Sequence, residues 1–378
     1  MPVLADFALE TFFSQWEFTA RYHLTASDAE SLPLRELLAM ASAEDRAAFD
    51  ALWLGYTETF GSPPLRELIA STYHNQAPDN ILCFAGAEEG IYVAMHALLD
   101  NEDHAIVVTP NYQAAETVPL SLCDVTGVPL DPDRSWTLDI DHVAKAIRPN
   151  TKLVSINFPH NPTGKILEYD RLMALVALCR KRGLWLFSDE VYRLLGLHPE
   201  RNIPQVADIY EKGLSLNVLS KAYGLSGLRI GWIATADRVL RLKMERFKHY
   251  LSICNSAPSE LLARIALKNR ERILARNNQL LADNIVLLEK FFADFQHLFE
   301  WYRPDGGCVA YPRYLGAAPV NEFTQDLVER AGVLLLPATV YRSALGPTPT
   351  DRFRIGYGRA ALALGLQALR EHLRRKAA

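Results

Sequence analysis

The sequence predicts an α/β fold, with a large domain built on a mostly parallel sheet covered by helices and a smaller α+β domain. Three features indicate this fold. Short apolar runs alternate with amphipathic stretches through the middle of the chain. Residues 236–299 then show a helical pattern and contain no glycine. After Gly306 and Gly307 the chain returns to short apolar runs, which are followed by a basic helical pattern.

Five short apolar runs are predicted to be strands buried on both faces, because each is bounded by turn-forming residues. They are residues 81–85, 105–109, 152–158, 184–188 and 214–219. The stretches between them have one apolar face. In residues 171–182, Leu172, Leu175 and Cys179 share that face, and Gly183 marks the end of the helix. A strand–helix–strand repeat over about 150 residues predicts a mostly parallel sheet with helices on both faces.

The remaining parts of the chain are expected to form the smaller domain. Residues 308–311, 333–336 and 353–357 are predicted to be its short strands. We therefore assign residues 48–270 to the large domain, and residues 1–47 together with 271–378 to the small domain.

Composition excludes several classes of function. The 378 residues include 40 Lys and Arg against 44 Asp and Glu, a net charge of −4 with no basic block. This balance argues against nucleic acid or an anionic membrane as the main partner. No apolar run approaches the ~20 residues that a membrane-spanning helix needs. The first residues lack the pattern of a secretory signal.

The cysteines and histidines indicate neither a disulfide framework nor a metal site. The five cysteines are odd in number and widely spaced, so we expect buried free thiols in a reducing cytoplasm. They are Cys83, Cys123, Cys179, Cys254 and Cys308. The ten histidines include no HExxH motif or other close ligand pair, so we expect no metal.

Ligands of open α/β sheets bind beyond the carboxyl ends of the strands, so the residues that follow each predicted strand deserve inspection. Gly86-Ala87-Glu88 follows the first run and leads into a helix predicted over residues 91–99. Free backbone N–H groups at such a start favour a phosphate, although an ordinary strand-to-helix turn explains these residues more simply. Asn161 begins the tight turn Asn161-Pro-Thr-Gly164, and its side chain can also donate to a ring hydroxyl or a substrate carboxylate.

Charged residues that are costly to bury follow the last two runs. Asp189 needs either a cationic partner or the start of a helix. Lys221, next to Ser220, is useful if its pKa is lowered or if it forms an imine, and a lysine that reaches to water is the alternative. Arg229 is either a phosphate ligand or an ordinary partner in a surface ion pair.

Taken together, these motifs resemble the fold-type I pyridoxal-phosphate (PLP) enzymes, and the chain is identified as a member of the aminotransferase class I/II family over nearly its whole length. The matching motifs are Tyr56-…-Gly61-…-Leu65-Arg66, Asn161-Pro-Thr-Gly, Asp189-Glu-Val-Tyr192, Ser220-Lys221-…-Arg229 and Phe353-Arg354-Ile355. The resemblance implies the PLP-dependent transferase fold of type I, pyridoxal 5'-phosphate as cofactor, and a homodimer with shared active sites.

The resemblance also implies a role for each matching residue. Lys221 forms the internal aldimine with the cofactor and then moves the Cα proton. Asp189 pairs with the pyridine nitrogen and keeps it protonated. Tyr192 and Asn161 contact the ring hydroxyl oxygen, and Tyr112 stacks on the ring.

The phosphate and the substrate are assigned in the same way. The resemblance implies that the phosphate is bound by Gly86, the backbone N–H groups of Ala87 and Glu88, Ser220, Arg229 and a neighbouring subunit's Tyr56. It implies that Arg354 binds the substrate α-carboxylate.

Three positions depart from the family pattern. Val218 stands where a hydroxyl often helps to bind the phosphate, and Ala338 stands where a Pro-Gly turn is frequent. Glu88 brings a carboxylate near a dianion, so its backbone N–H is the expected ligand. These changes can weaken cofactor retention without altering the assignment.

The fold does not fix the reaction. Transamination between an L-amino acid and a 2-oxo acid is the leading hypothesis. Residues 157–164, 219–232 and 246–252 are similar to capreomycidine-synthase-type enzymes of natural-product biosynthesis, which favours elimination with ring closure, or oxidation, of an arginine derivative as the alternative. Glu17 is then a candidate for binding the guanidinium and Trp16 a candidate for the substrate pocket. For Glu17, a solvated helix-surface glutamate is the simpler interpretation. For Trp16, the pocket is the favoured interpretation and packing of the arm is the alternative.

Two other classes of function fit less well. A non-catalytic ligand sensor is disfavoured because Lys221, Asp189 and Arg354 are all present. A nicotinamide dehydrogenase is disfavoured because Gly356-Tyr-Gly358 lacks a third glycine and follows no early strand.

Overall fold

The computed structural model describes residues 4–196 and 203–377. Its helices are α1 Ala8–Trp16, α2 Leu34–Leu38, α3 Ala43–Asp50, α4 Pro63–Ala70, α5 Ala87–Leu98, α6 Ala114–Leu120, α7 Ile140–Ala146, α8 Tyr169–Arg182, α9 Val206–Ile209, α10 Arg238–Lys248, α11 Ala257–Lys268, α12 Arg270–Asp294, α13 Val320–Ala331 and α14 Leu362–Ala377. Its strands are β1 Tyr22–His23, β2 Ile81–Phe84, β3 His104–Thr109, β4 Asp124–Pro129, β5 Thr151–Asn157, β6 Trp185–Asp189, β7 Gly213–Val218, β8 Gly231–Ala234, β9 Phe299–Glu300, β10 Val309–Ala310, β11 Arg313–Tyr314, β12 Val333–Leu334, β13 Leu336–Pro337 and β14 Phe353–Gly356.

A seven-stranded sheet is the largest sheet of the described residues, in the order β2-β8-β7-β6-β5-β3-β4. Strand β8 runs antiparallel to both of its neighbours, and the other strands share one direction. Every residue of β2, β3, β7 and β8 is buried, as expected for apolar strands between two layers of helices. The predicted α/β class with a mostly parallel sheet is confirmed.

The five predicted strands of this sheet are present, but the sequence did not reveal β4 and β8. Strand β4 lies at the edge, is partly exposed, and contains Gly127 and Pro129, which weaken a strand pattern. Strand β8 has only four residues and begins at Gly231, two residues after Arg229. Neither segment has the length and continuous apolar character by which the other strands were recognised.

Three smaller sheets accompany the central one in the described part of the chain. They are the parallel pair β1-β12, the antiparallel sheet β10-β14-β13 and the antiparallel pair β11-β9. The run 333–336 is two strands rather than the predicted one, because Val333 and Leu334 pair with β1 whereas Leu336 and Pro337 pair with β14. All strands of the central sheet fall within residues 48–270, and the division into domains stays a prediction.

The helices largely follow the predicted pattern. Helices α10, α11 and α12 occupy the glycine-free region, and α8 ends at Gly183, whose φ of +69° belongs to the left-handed region. Helix α5 begins at Ala87 rather than at the expected Ile91. The reason is Gly86, whose φ of +99° turns the chain directly from β2 into the helix.

Among the described residues, no helix combines the length and apolar character needed to cross a membrane. The five cysteines are free. Cys83, Cys179 and Cys308 are buried as expected, but Cys123 and Cys254 are only partly buried. The expectation of five buried thiols is wrong for these two, because Cys123 adjoins the edge strand β4 and Cys254 lies in the loop after α10.

Candidate active site

The carboxyl ends of β5, β6 and β7 open into a cavity of about 750 Å³. Helix α1 and residues 20–30 form a second wall, and Arg354 and Arg359 contribute from the C-terminal part of the chain. The cavity brings together most of the residues that the sequence predicts for the site, namely Ala87, Glu88, Tyr112, Asn161, Asp189, Tyr192, Ser220, Lys221, Arg229 and Arg354.

Lys221 follows β7 and projects into the cavity. Its Nζ donates a hydrogen bond to Ser27 Oγ at 3.0 Å and lies 5.6 Å from the centre of the Tyr192 ring. Burial lowers the pKa of Lys221; Asp28 opposes this shift, whereas Arg354 adds to it. An amine with a lowered pKa is more available as a nucleophile and as a proton acceptor.

Asp189 ends β6 and is only 8% exposed. The backbone N–H of Val191 donates to its Oδ1 at 3.2 Å. Burial nevertheless raises the pKa of Asp189 to about 7, against the opposing effects of that N–H and of Lys221. The neighbouring groups compensate little of the cost of burying this negative charge. The carboxyl is therefore suited to pair with a cationic ring nitrogen, which would lower the pKa of Asp189 again.

The turn that carries Asn161 is fixed by the strand ends beside it. Asn157 pairs with Asp189 in the sheet, and its Nδ2 donates to the Asp189 carbonyl at 3.0 Å. Its Oδ1 accepts the backbone N–H of Asn161 at 2.9 Å. His160 ties the turn to the carbonyl of Pro110 at 2.8 Å, and burial lowers the pKa of His160 to about 4. The imidazole is therefore neutral and structural at neutral pH.

Arg354 lies on β14 and is only 1% exposed. Its Nη1 donates to Asn161 Oδ1 at 3.2 Å and to the Tyr341 hydroxyl at 2.7 Å, and its Nη2 donates to the Thr25 carbonyl at 2.7 Å. Its Nε is buried and has no hydrogen-bond partner in the part of the chain that the structure describes. A buried guanidinium with an unfilled donor is suited to an incoming carboxylate.

The start of α5 forms a cradle for an anion. A Cβ at Gly86 would collide with the guanidinium of Arg229, so only glycine lets the two come this close. A Cβ at Gly231 would lie 3.0 Å from the backbone nitrogen of Ala87. The start of α5 offers unpaired backbone N–H groups and the positive end of the helix dipole, and the positive charge of Arg229 lies beside it. This combination favours the binding of a phosphate.

Glu88 lies in the first turn of α5 and lines the same cavity. Burial raises the pKa of Glu88, and a side-chain hydrogen bond with Tyr112 opposes that shift. The carboxyl is therefore engaged by the tyrosine that is predicted to stack on the ring.

Three predicted residues do not line the cavity. Gly86 lies behind it against Arg229, and Tyr56 is 88% exposed at the surface. Trp16 is partly buried and also outside the wall. Phe13 of helix α1 and Glu17, which directly follows that helix, line the cavity four residues apart, and Trp16 lies off that face. Trp16 therefore does not line the cavity of the described chain, and its role in substrate binding stays a prediction.

Sequence reasoning missed four residues of the cavity region. Ser27 contacts Lys221, and Tyr341 contacts Arg354. Asp28 and Arg359 form a two-pronged ion pair with N···O distances of 2.8 Å. No local spacing marks these residues, because their partners come from distant segments. Near Tyr341, the one unusual feature of the sequence was Ala338, which stands where the family frequently has a Pro-Gly turn.

These residues fit pyridoxal phosphate. The cradle at α5 suits its phosphate, Asp189 suits its ring nitrogen, and Lys221 presents an amine for its aldehyde. Within residues 4–196 and 203–377, no cluster of His, Cys, Asp or Glu is arranged to hold a metal ion.

Comparisons with known proteins agree with this geometry. The family described as aminotransferase class I and II matches residues 27–363. Capreomycidine synthase from Streptomyces vinaceus is 27% identical over 374 residues, covering 97% of this chain and 93% of that enzyme. Arginine–pyruvate transaminase AruH from Pseudomonas aeruginosa is 30% identical over 350 residues, covering 87% and 84%. A PLP-dependent aminotransferase from Streptococcus suis 89-1591 has a TM-score of 0.91 at 29% identity, with 99% of both chains covered. The chain therefore belongs to the class I and II aminotransferases, and it is a PLP-dependent enzyme.

Proposed function

We propose that the protein transfers an amino group from an L-amino acid to a 2-oxo acid, in two half-reactions at one site. The observation that carries this proposal is a single cavity that collects the Lys221 amine, the Asp189 carboxyl and the Arg354 guanidinium with its unfilled donor. Bound pyridoxal phosphate supplies an electron sink for the negative charge that develops at the substrate Cα.

Three residues carry the chemistry in this proposal. Lys221 takes the proton from the substrate Cα and returns it, and the lowered pKa of its amine favours that exchange. Asp189 keeps the pyridine nitrogen protonated. Arg354 binds the α-carboxylate and thereby orients the Cα–H bond toward Lys221.

The other residues hold the cofactor. Tyr192 and Asn161 contact the ring hydroxyl oxygen, and Tyr112 stacks on the ring. Burial raises the pKa of Tyr192 far above its usual value, so its phenol stays neutral and can donate a hydrogen bond. The phosphate is bound by the turn at Gly86, the N–H groups of Ala87 and Glu88, Ser220 and Arg229.

The protein is also proposed to be a homodimer with shared sites. Trp53, Leu54 and Tyr56 are exposed in one segment, and Tyr250 is 90% exposed in another. The two segments lie together, because Thr57 Oγ1 donates to the Asn255 carbonyl at 2.9 Å. A second copy covering this apolar surface would bring its Tyr56 to the phosphate.

Cytoplasmic residence is proposed on the basis of the thiols. Five cysteines that form no disulfide in the described structure are typical of proteins kept in a reducing compartment.

A second candidate function is supported by the carboxylates at the cavity wall. Glu10 and Glu17 line the cavity, and burial, reinforced by the charges of Glu10 and Asp28, raises the pKa of Glu17. A cationic side chain beside Glu17 would relieve that cost. Two relatives are named for capreomycidine and for arginine. The candidate reaction is elimination with ring closure, or oxidation, of an arginine derivative.

The first experiment separates the two reactions. The PLP-loaded protein is mixed, without oxygen, with each common L-amino acid and with hydroxylated arginines, and the cofactor absorbance is followed. Conversion to the pyridoxamine form that a 2-oxo acid reverses is the expected result. Return of the original spectrum with a cyclic or dehydrated product would instead support the second candidate.

Lys221→Ala tests the proposed proton carrier. We expect the variant to lose both turnover and the absorbance change with substrate, because no other lysine among the described residues lines the cavity. Lys290→Ala, at an exposed position of α12, is the control and should behave like the wild type. Turnover retained by Lys221→Ala would refute the assignment.

Glu17→Gln tests the preference for a cationic side chain. The substitution keeps the size of the side chain, and we expect it to raise KM for L-arginine about tenfold while changing KM for L-alanine little. Glu36→Gln, at an exposed position of α2, is the matched control. Equal effects on both substrates would remove Glu17 from side-chain recognition.

A further inference from the structure

We propose that Tyr341 is a positioning residue that sets the orientation of both Arg354 and Asn161, and thereby couples the carboxylate site to the cofactor site. The inference rests on the proposed function, which assigns those two sites, and adds a residue that acts through both of them.

The contacts form a closed triangle of buried side chains. The Tyr341 hydroxyl accepts from Arg354 Nη1 at 2.7 Å and donates to Asn161 Oδ1 at 3.0 Å. Arg354 Nη1 also donates to Asn161 Oδ1, at 3.2 Å. All three residues are less than 5% exposed. Water therefore offers little competition to these bonds, so each side chain constrains the other two.

The Tyr341 hydroxyl can donate one hydrogen bond, and its two neighbours in the triangle determine which of them accepts it. Burial raises the pKa of Tyr341 to about 12 even though Arg354 acts in the opposite direction, so the phenol is neutral at working pH. Since its oxygen accepts from the cationic Arg354, its proton points to Asn161.

The orientation of the Asn161 amide follows. Its Oδ1 accepts from two donors, Tyr341 and Arg354, which leaves Nδ2 as the amide atom for a ligand in the cavity. The proposed contact with the ring hydroxyl oxygen needs a donor at this point. The opposite amide orientation would set Nδ2 against the Arg354 guanidinium, donor against donor.

The same contacts fix Arg354. Tyr341 and Asn161 occupy Nη1, and the Thr25 carbonyl holds Nη2, so the unfilled Nε is kept in a constant place. Because the Arg354 guanidinium is held in place before the substrate binds, less conformational entropy is lost when it binds a carboxylate.

Tyr311 provides a matched control. It is also a buried tyrosine, its ring centre lies 5.8 Å from that of Tyr341, and its hydroxyl has no hydrogen-bond partner within the described residues. Tyr311→Phe and Tyr341→Phe each delete one buried oxygen from the same cluster, but only the second removes contacts to Arg354 and Asn161.

The experiment compares both variants with the wild type in the PLP-loaded enzyme. For Tyr341→Phe we expect KM for the preferred L-amino acid to rise about tenfold with kcat little changed, and KM for the corresponding amine without a carboxylate to stay the same. The pH midpoint of the cofactor absorbance should also rise, because a weakened donor leaves the ring oxygen more basic. Tyr311→Phe should match the wild type in every measurement.

If Tyr341→Phe matches Tyr311→Phe either in KM for the amino acid or in the pH midpoint, the inference is overturned. The absorbance titration requires bound cofactor but no turnover. Failure of the wild type to transfer amino groups would therefore contradict the proposed function, and the titration would still decide whether Tyr341 orients Asn161.

Discussion

Burial of Asp189 has a direct consequence for the pH dependence of stability. Burial raises the pKa of Asp189 from the usual 3.8 to about 7. A raised pKa means that the fold favours the neutral carboxyl. The stability that this group contributes is therefore fully present below about pH 4 and is lost as the pH rises through about 7.

Asp189→Asn should remove that pH dependence. We expect the melting temperature of the cofactor-free variant to equal that of the wild type near pH 4 and to exceed it at pH 8, because the amide carries no charge to desolvate. Calorimetry of both proteins without cofactor at the two pH values makes the comparison. A variant that is less stable than the wild type at pH 8 would contradict the assigned pKa.

With the cofactor bound, the same substitution should act in the opposite direction. Asp189 then faces a cationic ring nitrogen, and removal of its charge should lower kcat/KM by about a hundredfold or more. The rate of the half-reaction with an L-amino acid measures this effect directly.

At this scale the sequence predicted the residues that belong to local motifs. Lys221, Asp189 and Asn161 each stand at the end of a predicted strand, so their positions indicated candidate site residues, and the family resemblance implied their roles. Ser27 and Tyr341 matter only through contacts with residues far away along the chain. No periodicity or motif marks such contacts.

Among the elements, the junction of β2 and α5 shows how backbone geometry creates a binding site. Gly86 adopts a φ of +99°, and its missing side chain leaves space for Arg229. Arg229 itself adopts a left-handed conformation with a φ of +52°. Two unusual backbone positions thus bring one charge to the start of one helix.

Gly86→Ala should weaken cofactor binding by at least about tenfold, because the added methyl group strains the turn and displaces Arg229. Titration of the cofactor-free protein with PLP gives the affinity. Gly227→Ala is the control, since a Cβ there meets no heavy atom within 4 Å. Equal affinities for the two variants would mean that Arg229 does not need its present position.

The prediction of elements succeeded where a segment was long and uniformly apolar. It failed for β4, whose exposed edge position gives a mixed pattern, and for the run 333–336, which pairing divides between two sheets. Pairing partners are tertiary information, and a run of four apolar residues does not contain it.

At the scale of the whole molecule, the exposed segment around Tyr56 and the turn at Tyr250 determine the proposed assembly. Tyr250→Asp should convert the dimer into a monomer, because it places a charge in an apolar interface. Analytical ultracentrifugation measures the mass. Tyr169→Asp, at an exposed tyrosine that begins α8, should remain dimeric. A monomeric wild type would contradict the shared-site proposal, and so would a dimeric Tyr250→Asp variant.

The fold class was predictable because few chain topologies are compatible with an alternating pattern of strands and helices. The arrangement around the cavity was not, since it depends on how residues 4–30 pack against residues beyond 300. Trp16 shows the difference: its segment reaches the cavity, but the rotation of α1 decides that Phe13 and Glu17 face inward.

The pairing of β1 with β12 sets an order of events for a chain that emerges from the ribosome. Tyr22 and His23 are synthesised early, yet their partners Val333 and Leu334 follow only after the entire central sheet. The Thr25 carbonyl likewise accepts a hydrogen bond from Arg354, which is synthesised much later. The strands of the central sheet are contiguous along the chain and can associate during translation. The central sheet can therefore form before the partners of β1 and of the Thr25 carbonyl have been synthesised.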